Sequence, residues 1–465
     1  MRRRDRGCPL IPGLPGAAAR GEQSLPTTVS TSLSRSTGGT VSQSGPGLSS
    51  RRRDGGRIQG GTTATDEVDR VGVIDNTSHS DDAGCSASAG SGEGIMRRVE
   101  ELREQTVWKS DPHTQVKHLV YRHYLQCWMA KILQKFPEAT IVDGFAGPGV
   151  YTDGPPGSSI VVAKTFLEHA AHRRFGRLNL ICLEERPDRV EELHRQFAKL
   201  PNSPQLNVRI QPPGTFAEQQ SRLSALAHCG RADTPVLWLI DPFNLKSAPF
   251  SLISKCLTGP RDEVLFTLFT NELHRFCQRE GFDIAMTAYF GGDHWQTATI
   301  ERRAGARKEA FSAAYQLGLK ELKVFTGSFG IKISNQSARY HLILATHSEA
   351  GLKCWAPVTW KLDSYSGQGA SADTADALSL FDEASVVDRL DVALRTLAGT
   401  EQRWEVLSSQ AARLNHMDKH LRQVLDNLAA QGLAIRINPV KARSAWPEGC
   451  TIRFYAPEDV VEESA

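Results

Sequence analysis

The stretch Thr140-Ile-Val-Asp143-Gly-Phe145-Ala-Gly147-Pro-Gly149 constrains the fold of this chain more than any other. An apolar run ends on a carboxylate and opens at once into alternating glycines. That order predicts a buried strand followed by a turn whose backbone can approach a ligand closely, because glycine lacks the Cβ that would block it. A nicotinamide dinucleotide fingerprint requires another glycine three positions after Gly149, and Thr152 stands there. Dinucleotide binding is therefore disfavoured.

The surrounding pattern alternates helix and strand. Val116, Leu119, Val120, Tyr124 and Trp128 form a helical stripe ahead of a strand over 139–142. A helix opens near Gly157-Ser158, and a second strand runs from Leu178 to Leu183 into Glu184-Glu185. Val190, Leu193, Phe197 and Leu200 mark the next helix. Asn207 to Ile210 reads as a third strand. Pro235 to Ile240, without a polar interruption, reads as a fourth, buried on both faces. Phe250, Ile253 and Leu257 mark a helix, and Val264 to Phe269 a fifth strand. Strands around Phe329–Ile333 and Tyr340–Ala345, joined by Asn335-Gln-Ser, suit an antiparallel edge hairpin after a helical insert over about 271–320. The expected fold is α/β: a doubly wound, Rossmann-like, mostly parallel sheet over 96–365, binding ligands beyond the carboxyl ends of its strands.

Residues 1–95 contain no Phe, Trp, Tyr or Lys and are expected to be a disordered tail. An alternative reading starts translation at Met96, so that the tail is not made. Residues 366–380 read as a linker. Over 381–460 the order helix, helix, helix and β-ribbon is that of a winged helix-turn-helix, in which Lys419, Arg422, Arg436, Lys441, Arg443 and Arg453 outweigh Asp418, Asp426 and Glu448. That excess makes the module a candidate nucleic-acid contact. A net charge of +3 over 465 residues gives no support to wholesale phosphate binding, so any nucleic-acid site must be a local patch. No apolar run approaches the ~20 residues that cross a bilayer. The nine cysteines include no C-x-x-C pair, from which reduced thiols and a cytoplasmic chain are expected. His118, His123 and Cys127 point too far apart on one helix to share an ion, so no metal is expected.

The D-x-F-x-G-x-G form is used by many methyltransferases for S-adenosylmethionine, with Asp143 organising the methionine end and Phe145, Gly147 and Gly149 accommodating the nucleoside. Glu184, at the end of the next strand, stands where an acid accepts ribose hydroxyls. Asp241-Pro242-Phe243-Asn244 resembles the (D/N)-P-P-(Y/F) signature of amino-group methyltransferases, lacking one proline. There the carboxylate and a carbonyl accept from the target amine, and the ring stacks on the base. A cytosine-C5 mechanism is disfavoured, because none of the cysteines follows a proline.

Together with Lys117-His118, Tyr124-Leu125, Pro156-Gly-Ser158, Asn271, Arg275-Phe276 and Tyr340-His-Leu-Ile343, these motifs make the chain resemble the three-Cys-motif partner family from about His113 to Asp363. The resemblance implies a methyltransferase-like domain, a C-terminal winged helix and a three-cysteine-motif partner protein. Asn244 departs from it, where glycine is usual, and so does Glu185-Arg186-Pro187. Lys117, His118 and Asn271 are its substrate-side candidates. Two functions stand open: an S-adenosylmethionine-dependent methyltransferase acting on nucleic acid or an associated target, and a non-catalytic adaptor with the same fold.

Overall fold

The computed structural model describes residues 104–279, 281–332, 338–371, 373, 386–438 and 444–457. The readings for residues 1–95 and Met96, for Asn335-Gln-Ser, for most of the linker and for Lys441 and Arg443 lie outside the described residues.

Helix α1 (Pro112–Ile132) begins with proline at its first turn, where a missing N–H costs nothing. It buries Val116, Val120, Tyr121, Tyr124, Leu125 and Trp128 on one face. Next come β1 (Glu138–Asp143), α2 (Ser158–Leu167), β2 (Arg177–Cys182), α3 (Pro187–Ala198), β3 (Leu206–Ile210), α4 (Phe216–Ala227), β4 (Val236–Ile240), α5 (Phe250–Lys255) and β5 (Asp262–Leu268). These five strands pair in parallel in the order β3-β2-β1-β4-β5. The order reverses between β1 and β4. Chain leaving these two strands diverges at their carboxyl ends and opens a crevice there. Residues Val236 to Ile240 are buried throughout, as a strand covered by helices on both faces must be.

Four helices form the expected insert: α6 (Thr270–Phe276), α7 (Asp283–Phe290), α8 (Trp295–Thr299) and α9 (Ala304–Glu321). Strand β6 (Phe325–Lys332) then pairs antiparallel with β7 (Ala338–Thr346), and β7 lies against β5. The sheet is thus mostly parallel with an antiparallel segment, as expected, but the hairpin is not its outermost part. Residues Gly369 and Ala370, read as linker, form β8 and pair in parallel with β6. Gly369 permits this approach, since a Cβ there would meet the Gly330 carbonyl oxygen at 2.5 Å. Helix α10 (Glu349–Leu362) was not anticipated; Pro357 interrupts its pattern, yet Leu352, Trp355, Val358 and Leu362 bury one face.

The expectation that all thiols are reduced is corrected. Cys127 on α1 and Cys354 on α10 form a disulfide, because the two helices pack side by side with these Cα atoms 5.7 Å apart. Separated by 227 residues, the two cysteines carry no spacing signal.

Beyond the sheet come α11 (Asp388–Arg395), β9 (Glu401–Arg403), α12 (Trp404–Arg413), α13 (Asp418–Ala430), β10 (Ala434–Arg436) and β11 (Thr451–Phe454). Its three strands pair in the order β10-β11-β9 over a separate core of Leu390, Leu394, Trp404, Leu407, Leu425 and Phe454. The module docks on α10: Trp360 Nε1 donates to the Asn415 carbonyl at 2.5 Å, and the Trp360 and His420 rings lie 4.0 Å apart. Among the described residues no helix is long and apolar enough to cross a membrane.

Candidate functional site

Asp143 ends β1 with its side chain only 1% exposed. Ser158 Oγ and Ser159 Oγ donate to its Oδ2 at 2.6 and 2.7 Å, and the Phe145 N–H donates to Oδ1 at 3.2 Å. Burial nevertheless leaves its pKa above the ordinary carboxylate value, against the pull of these three bonds. The carboxylate clamps the glycine loop to the first turn of α2, where the helix dipole favours a negative charge.

Gly147 and Gly149 have φ of 60° and 78°, a region that L side chains avoid. Gly149 also has no room, because a Cβ there would stand 2.7 Å from Leu193 Cδ1. Glu184, 2% exposed, holds the other side of the loop. Its two oxygens accept from the backbone N–H groups of Gly147 and Arg186, each at 3.0 Å. Burial raises its pKa, opposed by these amides and by Arg189.

Asp241 leaves β4 one position past Ile240, which is paired with Phe266, so its neighbour on β5 is Thr267. Thr267 Oγ1 donates to Asp241 Oδ1 at 2.6 Å, and Lys117 Nζ pairs with Oδ2. Burial alone would raise the Asp241 pKa; the charge and hydrogen bond of Lys117, with Thr267, carry it below the ordinary value. His118, on the next position of α1, is driven down to about 3 by burial and then by Lys117, so it is neutral at pH 7. Pro242 is buried and Phe243 is 44% exposed. Asn244, the departure from glycine, accepts from the N–H groups of Lys246 and Ser247 at 2.9 and 3.0 Å and caps a short turn.

Phe145, Gly147, Gly149, His118, Asp241 and Phe243 line one cleft. Asp143 and Glu184 lie beneath it as supports of the loop. Lys117 is buried against Asp241. Asn271 opens α6 beyond Thr270 and does not line the cleft. Sequence reasoning missed Trp108, which lines the same cleft, and the partners Ser158, Ser159 and Thr267. Two serines opening a helix after a strand-end carboxylate were a readable signal; Trp108, alone ahead of α1, carried none.

The residues fit an adenosyl ligand at this point: a glycine cradle at positive φ, held from beneath by Asp143 and Glu184, with Asp241 across the cleft. Basic residues of the C-terminal module are partly engaged within it. Arg453 pairs with Glu401 at 2.6 Å, Arg422 lies 4.7 Å over the Trp404 ring, and Arg436 donates to the Ala445 carbonyl at 2.9 Å.

No protein-family model matches the sequence. No curated protein matches it either. Among solved structures, the chain is similar to Trm1 from Pyrococcus horikoshii in complex with S-adenosyl-L-methionine, at 9% identity and TM-score 0.33, over 54% of this chain and 60% of that one. It is similar to the O-methyltransferase from Bacillus cereus in complex with SAH, at 12% identity and TM-score 0.31, over 56% of this chain and 92% of that one. A third, M. jannaschii TYW2 in complex with AdoMet, has 8% identity and TM-score 0.26, over 52% of this chain and 78% of that one.

Proposed function

We propose that this protein is an S-adenosylmethionine-dependent methyltransferase of the three-Cys-motif partner type, acting on an amino group of nucleic acid or of a nucleic-acid-associated target. The observation that carries the reading is the cleft itself. A glycine cradle at the end of β1 faces an Asp-Pro-Phe loop at the end of β4, across the point where strand order reverses. S-adenosylmethionine supplies the methyl group when bound. Phe145, Gly147 and Gly149 line its seat, with Asp143 and Glu184 holding the loop. Asp241 accepts from the target amine, Phe243 offers an exposed ring for stacking, and Lys117 sets the charge of Asp241. His118 stays uncharged and adds no repulsion against a cationic ligand.

The order helix, strand, helix, helix, ribbon is the order of a winged helix, and we assign 381–460 to that class. In such modules the first turn of the third helix meets the base edges. Here that turn carries His420 onto Trp360, which leaves the wing face for phosphate or for a three-cysteine-motif partner.

One observation favours the second reading, a non-catalytic adaptor: Lys117 already engages the carboxylate that would receive the amine. Labelled methyl transfer to total RNA, DNA or the three-cysteine partner separates the two readings, with Asp241→Asn as control. Transfer lost in the variant supports the enzyme; tight cofactor binding without transfer to any of the three supports the adaptor.

A further inference from the structure

The segment ahead of α1 crosses the mouth of the cleft and is fastened on both sides. Toward the glycine loop, the Trp108 carbonyl accepts from the Thr152 N–H at 2.9 Å, and the N–H and Oγ of Ser110 donate to Asp153 at 2.9 and 2.6 Å. Toward α3, the Glu104 carbonyl accepts from Arg186 Nη2 at 2.9 Å and the Gln105 carbonyl from Arg189 Nη2 at 3.1 Å. Thr106 Oγ1 donates to Asp188. Hydrogen bonds thus hold 105–110, which lie in no helix or strand.

What the fastening positions is one large side chain. The Trp108 ring meets Tyr151 edge-on at 5.8 Å and Phe243 at 6.2 Å, with the Arg189 guanidinium 4.6 Å over its face. Its Cη2 lies 3.8 Å from where a Cβ on Gly147 would stand. The indole therefore spans from the glycine loop to the Asp-Pro-Phe loop, over the backbone that the cradle leaves bare. Trp108 is only partly buried, and its immediate neighbour Lys109 is exposed, so core formation does not account for it. Its ring face already accepts one cation, and aromatic faces attract cations and stack on bases alike.

We propose that Trp108 is a ligand-contacting residue: the strap 104–110 forms the outer wall of the cofactor seat, and the indole packs against the adenosyl-sulfonium ligand from beside Gly147. This rests on the S-adenosylmethionine reading above. It adds a binding determinant outside the strand-end motifs, supplied by the chain immediately ahead of α1.

The test uses the full chain as wild type, Trp108→Ala and Trp108→Phe, titrated calorimetrically with S-adenosylmethionine and S-adenosylhomocysteine, with thermal midpoints measured in parallel. Tryptophan emission is followed during the titration, since only one of the eight tryptophans changes between wild type and the Phe variant. The expected result is a Kd raised at least tenfold in Trp108→Ala, near wild type in Trp108→Phe, and an emission change in wild type that is absent from Trp108→Phe. Equal or tighter binding by folded Trp108→Ala overturns the proposal. Should that variant fail to fold, an emission change identical in wild type and Trp108→Phe overturns it. If wild type binds neither ligand, the cofactor reading fails and the proposal with it; if wild type binds and the Trp108 results are negative, only the proposal fails.

Discussion

Replacing Lys117 with Met tests whether the Asp241 loop is held by charge or by packing. Met keeps most of the apolar stem, so the main loss is the ammonium. Side chains of Lys117 and Asp241 are 8% and 27% exposed. Removing one partner of a fully buried ion pair destabilises by about 3–5 kcal/mol, because the other charge is left without compensation. Asp241 keeps some access to water and retains Thr267, so about 2–3 kcal/mol is expected at pH 7.5.

The pH dependence fixes the cause. In the wild type the folded pKa of Asp241 is depressed, so its contribution to stability is present above the unfolded value and is lost only as pH falls through the folded one. Without Lys117, burial dominates and the folded pKa moves up; the charged carboxylate then opposes folding at pH 7.5, and protonation relieves it on acidification. His113 and His118 act in the same sense. Each has a folded pKa near 3, partly through Lys117, so each disfavours folding below pH 6.5, and less so once that charge is gone. The stability gap between wild type and Lys117→Met should therefore narrow from pH 7.5 to pH 4.5. Urea unfolding at both values, completed as a double-mutant cycle with Asp241→Asn, measures it. A gap of equal size at the two pH values, or a coupling energy below about 0.5 kcal/mol, would refute the reasoning.

Other outcomes follow from the same contacts. Gly149→Ala forces a Cβ toward Leu193 in a positive-φ residue, at about 1–3 kcal/mol, and should abolish calorimetric binding of S-adenosylmethionine. Glu263 is buried with its pKa raised to about 7, and Tyr124 Oη donates to it at 2.6 Å. A raised folded pKa stabilises below the unfolded value and loses that benefit as pH climbs through 7. Glu263→Gln, which keeps an acceptor for Tyr124, should thus gain on wild type by about 2–3 kcal/mol between pH 5 and pH 8 in chemical denaturation. Cys127→Ser removes a link across 227 residues, worth about 2–4 kcal/mol. Reductant should lower the thermal midpoint of wild type and leave that of the variant unchanged.

The sheet was legible because its signals are local. Val236 to Ile240 is an unbroken apolar run, and Asp143, Glu184 and Asp241 each stand at or just beyond the end of a strand, so period and punctuation located β1, β2 and β4. Helix α10 escaped because Pro357 reads as a break, whereas apolar contacts on both sides of it sustain the helix. β8 escaped because two small residues among glycines and serines read as a linker; the missing Cβ of Gly369 is what lets it approach the Gly330 carbonyl.

The candidate site was legible in its residues and not in their relations. Lys117 and His118 lie on an amphipathic helix, where a solvated face is the common outcome. The partner that buries Lys117 is 124 positions away on another strand end. The pairing was still constrained in advance. A doubly wound sheet brings the chain after β4 to the same edge as the chain after β1, and a helix that packs across this edge must place some side chain over Asp241. A hydrogen-bond donor there stabilises the buried carboxylate, and Lys117 supplies one together with a compensating charge. Trp108 is a second case: its carbonyl accepts from the Thr152 N–H and its ring reaches Gly147, contacts that no sequence spacing announces. What the sequence hides is therefore the set of non-local contacts, and in this fold those contacts determine how much of Asp241 remains available to a substrate.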